Sequence, residues 1–598
     1  MYNFKEKADL IWRVADLLRG DYKQSDYGKV ILPMTVLRRL DSILSSTKDK
    51  VLKMLPKVEM MDETARDAVL DRTAGFRFHN HSLYDFSKLI ADPSNIALNL
   101  RNYINGFSEN ARDIIKYFDF DVQIDKLDDP KSDLLFQIVK SFQEIDLEDM
   151  TSMEMGYVFE DLIRRFAEQS NETAGEHFTP REVIRLMVNL LFSEDREVLT
   201  KEGIVKTVYD PACGTGGMLS VAEQYLKELN PKASLILFGQ EINPESYAIC
   251  KSDMLIKGQD VNNIKIGNTF TVDGLETERF DYMLSNPPFG VDWKKAEKDI
   301  KEEANSRGFS GRFGAGLPRI NDGSLLFLQH MISKMKGDGS RIGIVFNGSP
   351  LFTGAAGSGE SEIRKWIIEN DWLEAIVALP DQLFYNTGIS TYIWVLTNKK
   401  SKDRKGKIQL INATGTKDEE LMDEGKLDFN RFWEKMSRSL GNKRKLIPEN
   451  GNEKGIGFIT QLFGDYKEGE FVKILPNEFF GYWRVTVEQP LVEDGKIVKS
   501  KGKPKPDTAL RDYENIPFLK KDADGKLVPQ TIEEYFEREV KPHLSSAWID
   551  ESKTKVGYEI NFTKYFYEFK PLRSLEEIKS EILTLEERTA GKINRVLH

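Results

Sequence analysis

The residues with the most chemistry to offer sit in short runs, each at the end of an apolar stretch. The run Asp210-Pro-Ala-Cys-Gly-Thr-Gly-Gly217 bunches three glycines behind an acid. Glycines let a backbone turn tightly and come close to a ligand. This is not the dinucleotide pattern GxGxxG, and it lacks the Lys and Ser/Thr of a phosphate-binding loop. Asp210 suits a cationic group instead. Glu241 stands 25 residues past Gly216, where an acid can accept hydrogen bonds from ribose hydroxyls. Asn268 can donate and accept, as an adenine edge requires. The glycine turn, Asp210, Glu241 and Asn268 together outline a pocket for a nucleoside with a cationic side chain, a description that S-adenosylmethionine fits.

A second run, Asn286-Pro-Pro-Phe289, follows another apolar stretch. Its two prolines remove two backbone donors and fix the chain. The Asn286 side chain and the Pro287 carbonyl can then face a ligand as paired acceptors. An exocyclic aromatic amine such as adenine N6 has its lone pair delocalised into the ring. It needs polarisation rather than a strong base, and two acceptors on its N–H groups supply that. Phe289 offers a flat face to a base that has left the stack. Methyl transfer would be an in-line displacement from sulfonium to nitrogen. In isolation, each run also reads as a tight or rigid turn without a ligand.

Elements must position these runs. Residues 1–150 read as helical, with apolar residues three and four apart over Lys7–Leu18, Val30–Leu44 and Asn110–Tyr117. A helix over Thr151–Glu168 precedes a polar turn, the run Glu176-His-Phe-Thr-Pro-Arg181 and a helix over Val183–Phe192. Strands and helices then alternate. Strands are expected at Ile204–Tyr209, Leu235–Gln240, Ile264–Ile266, Phe280–Leu284, Arg341–Phe346, Leu373–Leu379, Thr391–Thr397 and Lys407–Ile411. Helices are expected at Gly217–Leu229 and at Pro244–Ile256, with Asn243 as N-cap and Pro244 at the first helical position. Such alternation means βαβ units and a mostly parallel α/β sheet, whose ligands bind outside the carboxyl ends of the strands.

The whole chain is acidic: 85 Lys and Arg against 96 Asp and Glu give a net charge of −11 over 598 residues. Its composition is globular, with material for several cores. No apolar run reaches the roughly 20 residues of a membrane span, and the amphipathic start is no signal peptide. Only Cys213 and Cys250 occur, which excludes a disulfide scaffold or a Cys-rich zinc site and points to a reducing cytoplasm. A DNA binder ordinarily carries a basic footprint. If the substrate is nucleic acid, the basic surface must be local or come from a partner.

Taken in order, DPACGTGG, GQE, GN and NPPF resemble the amino-methyltransferases that use S-adenosylmethionine, in the arrangement of the N6-adenine DNA methylases. The flanking runs Leu17-Leu-Arg-Gly-Asp-Tyr-Lys-Gln-Ser-Asp-Tyr27, Val36-Leu-Arg-Arg-Leu40, Ala547-Trp-Ile-Asp-Glu551 and Gly557-Tyr-Glu-Ile-Asn-Phe562 are similar to the modification (M) subunits of type I restriction-modification systems. The resemblance implies a Rossmann-like methyltransferase core with an N-terminal helical domain and a C-terminal helical tail. It implies that Asn286, Pro287, Pro288 and Phe289 hold the target adenine. It implies that Asp210, Gly214, Thr215, Gly216, Glu241 and Asn268 hold the cofactor, helped by Glu176, His177, Phe178, Thr179, Pro180 and Arg181. Asn268 replaces the acid often found at its place, and His177 reads equally as a polar helix-entry residue. Implied partners are double-stranded DNA with a flipped adenine, a specificity subunit serving two copies of this chain, and a restriction subunit.

Expected divisions are a helical domain over 1–150, a catalytic domain over 151–490, an extension or linker over 491–573, and a partner-binding helix over 574–598. Residues 294–319 read as a long charged loop, either a lid or disordered. The Lys-rich stretch 496–505 reads as a solvated linker rather than a DNA contact, and His79 and His81 as a surface loop without metal spacing. No metal site is expected. Cys213 reads as a small turn residue, since N6 transfer needs no covalent intermediate. No PD…(D/E)xK nuclease set is evident. Two other readings are an RNA or protein-glutamine methyltransferase, and a cofactor-binding scaffold without turnover. The intact NPPF disfavours the scaffold.

Overall fold

The computed structural model describes residues 3–129, 131–170, 179–385, 387–415, 431–449, 451–500, 502–567 and 574–596. The chain forms two compact units, Met1–Ile560 and Asn561–His598. The first 150 residues are helical, with no strand among those described apart from isolated bridges. The stretch expected to be helical over Lys7–Leu18 breaks into Asn3–Trp12 and Val14–Leu17. The next helix runs Gly28–Leu44 and buries Val30, Ile31, Met34, Leu37 and Leu40. Pro33 lies inside it, past the first turn, and the helix there forgoes one intrahelical donor.

A nine-stranded sheet dominates the unit. Its strands are β1 (Val205–Asp210), β2 (Ser234–Glu241), β3 (Ile264–Ile266), β4 (Tyr282–Ser285), β5 (Arg341–Phe346), β6 (Leu373–Ala378), β7 (Tyr392–Thr397), β8 (Lys407–Asn412) and a later strand, Val472–Pro476. The spatial order runs Val472–Pro476, β8, β6, β7, β5, β4, β1, β2, β3. The half that carries the chemistry, β3-β2-β1-β4-β5, is parallel throughout. β7 inserts antiparallel between β5 and β6, which the alternating pattern does not predict. Helices Gly217–Leu229 and Pro244–Ile256 return the chain between β1, β2 and β3. Asn243 caps the second, its Oδ1 accepting from the Ser246 amide at 2.9 Å. β5 and β6 are buried at every residue, as a sheet covered on both faces requires.

Two expectations change. Residues 294–319 are not a long loop: they contain a helix, Glu297–Arg307, and bury Phe313 with Phe270, Trp293, Ala296, Ile300 and Leu326. The charged composition hid this because only Ile300 of that helix is fully buried. The extension or linker expected over 491–573 contains short hairpins and two strands, Asp512–Pro517 and Trp548–Tyr558, that flank Gly481–Glu488 in a three-stranded antiparallel sheet. The second unit contains the helix Leu575–Val596. On it Leu575, Ile582, Leu583 and Leu585 are exposed. No described helix is long and apolar enough to cross a membrane.

Candidate cofactor and catalytic site

β4, β1, β2 and β3 are parallel neighbours, so their carboxyl ends share one edge of the sheet. The order reverses beside β1, the place where open α/β sheets bind ligands. A cavity of about 480 Å³ opens there, within the roughly 300–1,000 Å³ range of small-molecule sites. Asp210, Glu241, Gly267 with Asn268, and Asn286 line it from the four strand ends.

Asp210 is buried and accepts hydrogen bonds from the Ala212 amide at 3.0 Å and the Ser285 hydroxyl at 3.0 Å. Burial pushes its carboxyl up to about 7, against those two hydrogen bonds and with some help from the Glu241 charge. A buried carboxyl with no cation among these partners is suited to a cationic ligand, whose arrival favours the ionised form.

Glu241 does more than face the cavity. Its Oε2 accepts from the Gly214 amide at 2.8 Å, and its Oε1 from the Ile242 and Asn243 amides at 2.9 and 2.8 Å. Burial raises its pKa and these three amides oppose the shift. A carboxylate has about four acceptor positions, so one remains for a ligand hydroxyl. Glu241 therefore shapes the glycine turn as well as facing its contents.

The three glycines divide by role. Gly214 has φ +53°, lines the cavity, and would project a Cβ into open space. Gly216 has φ +84° and does not line the cavity, and a Cβ there would lie 2.8 Å from Cys250 Sγ. Gly216 thus lets the turn pack onto the helix Pro244–Ile256. Gly217 offers its carbonyl to Arg181 Nη1 at 3.1 Å. Cys213 is buried beside Cys250, and both are free thiols. Cys213 lines the cavity and its thiol pKa is raised by a hydrogen bond to Cys250 and by burial, which keeps it protonated.

The Asn268 side-chain oxygen accepts from the Phe270 amide at 2.9 Å. The oxygen keeps one lone pair, and the NH₂ is left to offer as a donor. Thr269 fixes the same turn by donating to the Pro211 carbonyl at 2.6 Å. Asn286 is buried and lines the cavity with Pro288. Pro287 and Phe289 are not among the lining residues. Phe289 packs edge-on to Phe384, ring centres 6.4 Å apart.

Of the upstream run, Glu176, His177 and Phe178 lie outside the described residues. Thr179 lines the cavity; Pro180 and Arg181 do not. Pro180 starts the helix Arg181–Ser193, its carbonyl accepting from Val183 and Ile184. Arg181 is buried and pairs with Glu160 at 2.5 Å, bracing the helix Ser152–Ser170 against the glycine turn.

Several lining residues escape sequence reasoning: Glu160, Ile242, Phe270, Asp292, Trp293 and Phe327. Ile242 carries a signal, an apolar residue directly after Glu241, and it is 62% exposed. Trp293 and Phe270 form a wall that Arg312 holds. Arg312 donates to the Thr269 and Phe270 carbonyls at 2.8 Å each and pairs with Glu303 at 2.6 Å. His79 and His81 are not on a surface loop: His79 is fully buried with Nδ1 2.7 Å from Asp71, and His81 Nδ1 is 3.4 Å from His79 Nε2. No metal-ligand cluster occurs among the described residues.

The fold and the site fit the class of methyltransferases that take a methyl group from S-adenosylmethionine and place it on an amino nitrogen. Residues 151–445 match the family described as N-6 DNA Methylase, and residues 8–142 match the HsdM N-terminal domain. The chain is 31% identical over 320 residues to the MjaVII type I restriction enzyme methylase subunit of Methanocaldococcus jannaschii, covering 53% of this chain and 52% of that one. It is 26% identical over 445 residues to the MpnII methylase subunit of Mycoplasma pneumoniae, covering 68% and 78%. The match thus spans about half of the first relative and over three quarters of the second. The crystal structure of a type I restriction-modification methyltransferase subunit from Streptococcus thermophilus superposes with TM-score 0.59 at 22% identity, covering 80% of this chain and 97% of that one. The chain pairs an N-6 DNA methylase domain with an HsdM N-terminal domain, and it resembles the modification subunits of type I restriction-modification systems.

Proposed function

We propose that the chain transfers a methyl group from S-adenosylmethionine to N6 of adenine in DNA, as the methyltransferase subunit of a type I restriction-modification complex. The observation that carries this reading is the convergence of Asp210, Glu241, Asn268 and Asn286 on one cavity at the carboxyl edge of the sheet. The lining fits the cofactor. Buried Asp210 faces its cationic part, and Glu241 has an acceptor position for a ribose hydroxyl. Asn268 has a donor for an adenine ring nitrogen, and Ile242, Phe270 and Phe327 supply apolar walls. When bound, the cofactor supplies an electrophilic methyl on a sulfonium.

The rest is work for the chain's own residues. Asn286 and the Pro287 carbonyl accept from the two N6 hydrogens of a flipped adenine and hold its nitrogen toward the methyl group. Asn286 stabilises the positive charge that develops on that nitrogen, and once the new bond has formed one N6 proton passes to water. Phe289, backed by Phe384, offers the base a ring surface. In this reading residues 1–150 and 151–490 act as helical and catalytic domains. Residues 491–573 form an extension, and 574–598 a helix that engages a specificity subunit shared by two copies. The compartment is the cytoplasm.

Methyl transfer from labelled S-adenosylmethionine to mixed genomic DNA tests this, with the chain alone and with the proteins encoded beside it. N6-methyladenine that appears only with a partner is the expected result. Label in RNA or protein, or none in DNA with any partner, would overturn it.

A further inference from the structure

The chain carries a net charge of −11, yet Gly495–Pro506 holds five lysines and no acid. Of these, Lys501 lies outside the described residues. The segment is not a slack linker. Val492 pairs with Ile497 and Glu493 with Lys496 across a tight turn, Asp494-Gly495, both residues at positive φ. Such a turn matches the twist of a two-stranded ribbon. A second hairpin pairs Lys499 with Pro504 and Ser500 with Lys503. Three backbone hydrogen bonds knit the hairpins together: Leu491 N to Lys505 O, Val498 N to Leu491 O and Lys505 N to Val498 O, at 2.8–2.9 Å.

The ribbon has a firm root. It grows from the far ends of Gly481–Glu488 and Asp512–Pro517 in the three-stranded sheet. At the near end Gly481 pairs with Tyr558. There fully buried Arg364 donates to the Tyr558 carbonyl at 2.6 Å, and the Ile560 amide donates to Leu351 at 2.8 Å. Leu351 follows β5, a strand of the catalytic sheet. Seven residues separate Gly481 from Glu488, a reach of about 23 Å at the rise of an extended strand. At the ribbon's base Glu488 is already matched by Arg511 at 2.9 Å and Lys553 at 3.0 Å.

Lys499, Lys503 and Lys505 are exposed, and none forms an ion pair among the described residues. The pairing places Lys503 and Lys505 on one face of the hairpin and Lys499 on the other. A ribbon with cations on both faces can meet two walls of negative charge at once. The major groove of a duplex admits a two-stranded ribbon between two phosphate walls. Residues 490–506 contain no Arg, Asn or Gln, and lysine, though it can reach a guanine edge, meets phosphate as a flexible point charge without a planar fork. The contact would therefore position without reading sequence.

We infer that the ribbon Leu491–Lys505 is a sequence-independent phosphate-binding arm that grips duplex DNA through Lys499, Lys503 and Lys505. This rests on the reading that DNA is the substrate, and it names a surface of this acidic chain that supplies part of the missing basic footprint. An acidic protein partner is the competing occupant. The DNA reading is favoured by cations on both faces and by an extended reach from the catalytic sheet.

The test compares the full chain with the triple variant Lys499→Gln, Lys503→Gln, Lys505→Gln. Binding to a 30-base-pair duplex of arbitrary sequence is measured by fluorescence anisotropy across a salt series. The expected result is at least about tenfold weaker binding at low salt, with a slope of log affinity on log salt shallower by roughly 3. Cofactor affinity and the unfolding midpoint should stay unchanged, which separates loss of contact from loss of fold. An unchanged slope, or no duplex binding by the unaltered chain, would overturn the inference. So would intact duplex binding in a variant that no longer co-purifies with its neighbour-encoded protein, which would assign the ribbon to a protein partner. Failure of this arm alone leaves N6 methylation of DNA by the unaltered complex intact. Failure of the functional reading removes that methylation itself.

Discussion

At the scale of single residues, the proposed function separates groups that bind from groups that react. Asn286 is buried at the end of β4 and lines the cavity. Asn286→Ala should lower methyl transfer by roughly 10²–10³-fold, as for other lost transition-state hydrogen bonds, while cofactor affinity by calorimetry changes only a few-fold. Near-normal turnover would remove Asn286 from the catalytic role. Asp210 gives a pH prediction. Its folded value of about 7 lies above its ordinary 3.8, so between those two pH values the folded chain holds a proton the unfolded chain has lost. Stability from this group falls as pH rises through that window, and a cation must bind in competition with the proton. Cofactor affinity should therefore rise from pH 6 to pH 8. Asp210→Asn should flatten that profile, weaken binding, and raise the unfolding midpoint of the cofactor-free chain more at pH 8 than at pH 5. A pH-independent affinity in the unaltered chain would sink this assignment.

At the scale of elements, the glycine turn is a joint between a strand, two helices and a cavity. Gly216→Ala combines a left-handed backbone with a Cβ 2.8 Å from Cys250 Sγ. It should destabilise the chain by about 2 kcal/mol or more in chemical denaturation. Gly214→Ala meets nothing within 4 Å; it should cost only about 1–2 kcal/mol of backbone strain and act chiefly on cofactor affinity. If both variants lost stability alike, the division between packing glycine and ligand glycine would fail. Arg312 is the second joint, tying the helix Glu297–Arg307 to the turn after β3 through Glu303 and two carbonyls. Arg312→Ala should loosen the wall made by Phe270 and Trp293. Cofactor affinity should fall and hydrogen exchange over 297–313 should speed up. Unchanged exchange would show that the wall stands without it. Legibility divides here too. The eight strands over 204–412 were legible because buried apolar runs bounded by turn residues have few other uses. The helix Glu297–Arg307 was not, because Ile300 is its one fully buried residue and most of the rest are charged or polar and exposed.

At the scale of the whole molecule, the proposed function divides chemistry and target search between surfaces. The helix Leu575–Val596 exposes Leu575, Ile582, Leu583 and Leu585, and in the proposed function it is the element that engages the partner. Deleting residues 574–598 should leave cofactor affinity and the unfolding midpoint of the remainder within error. Partner-dependent methylation should be abolished. Retained methylation would place the partner contact elsewhere. Fold class, the order of the runs DPACGTGG, GQE, GN and NPPF, and the strand ends that carry them were determined by the sequence alone, because strand burial, capping and glycine placement are local demands written in residue type. Tertiary structure decided the rest. It set β7 antiparallel between β5 and β6, gave Glu241 three backbone amides to hold, tied the Asn268 oxygen to the Phe270 amide, and brought Glu160, Trp293 and Phe327 to a cavity formed by distant segments. These are outcomes of packing between residues far apart in the chain, where periodicity and propensity carry no information about which partner is met.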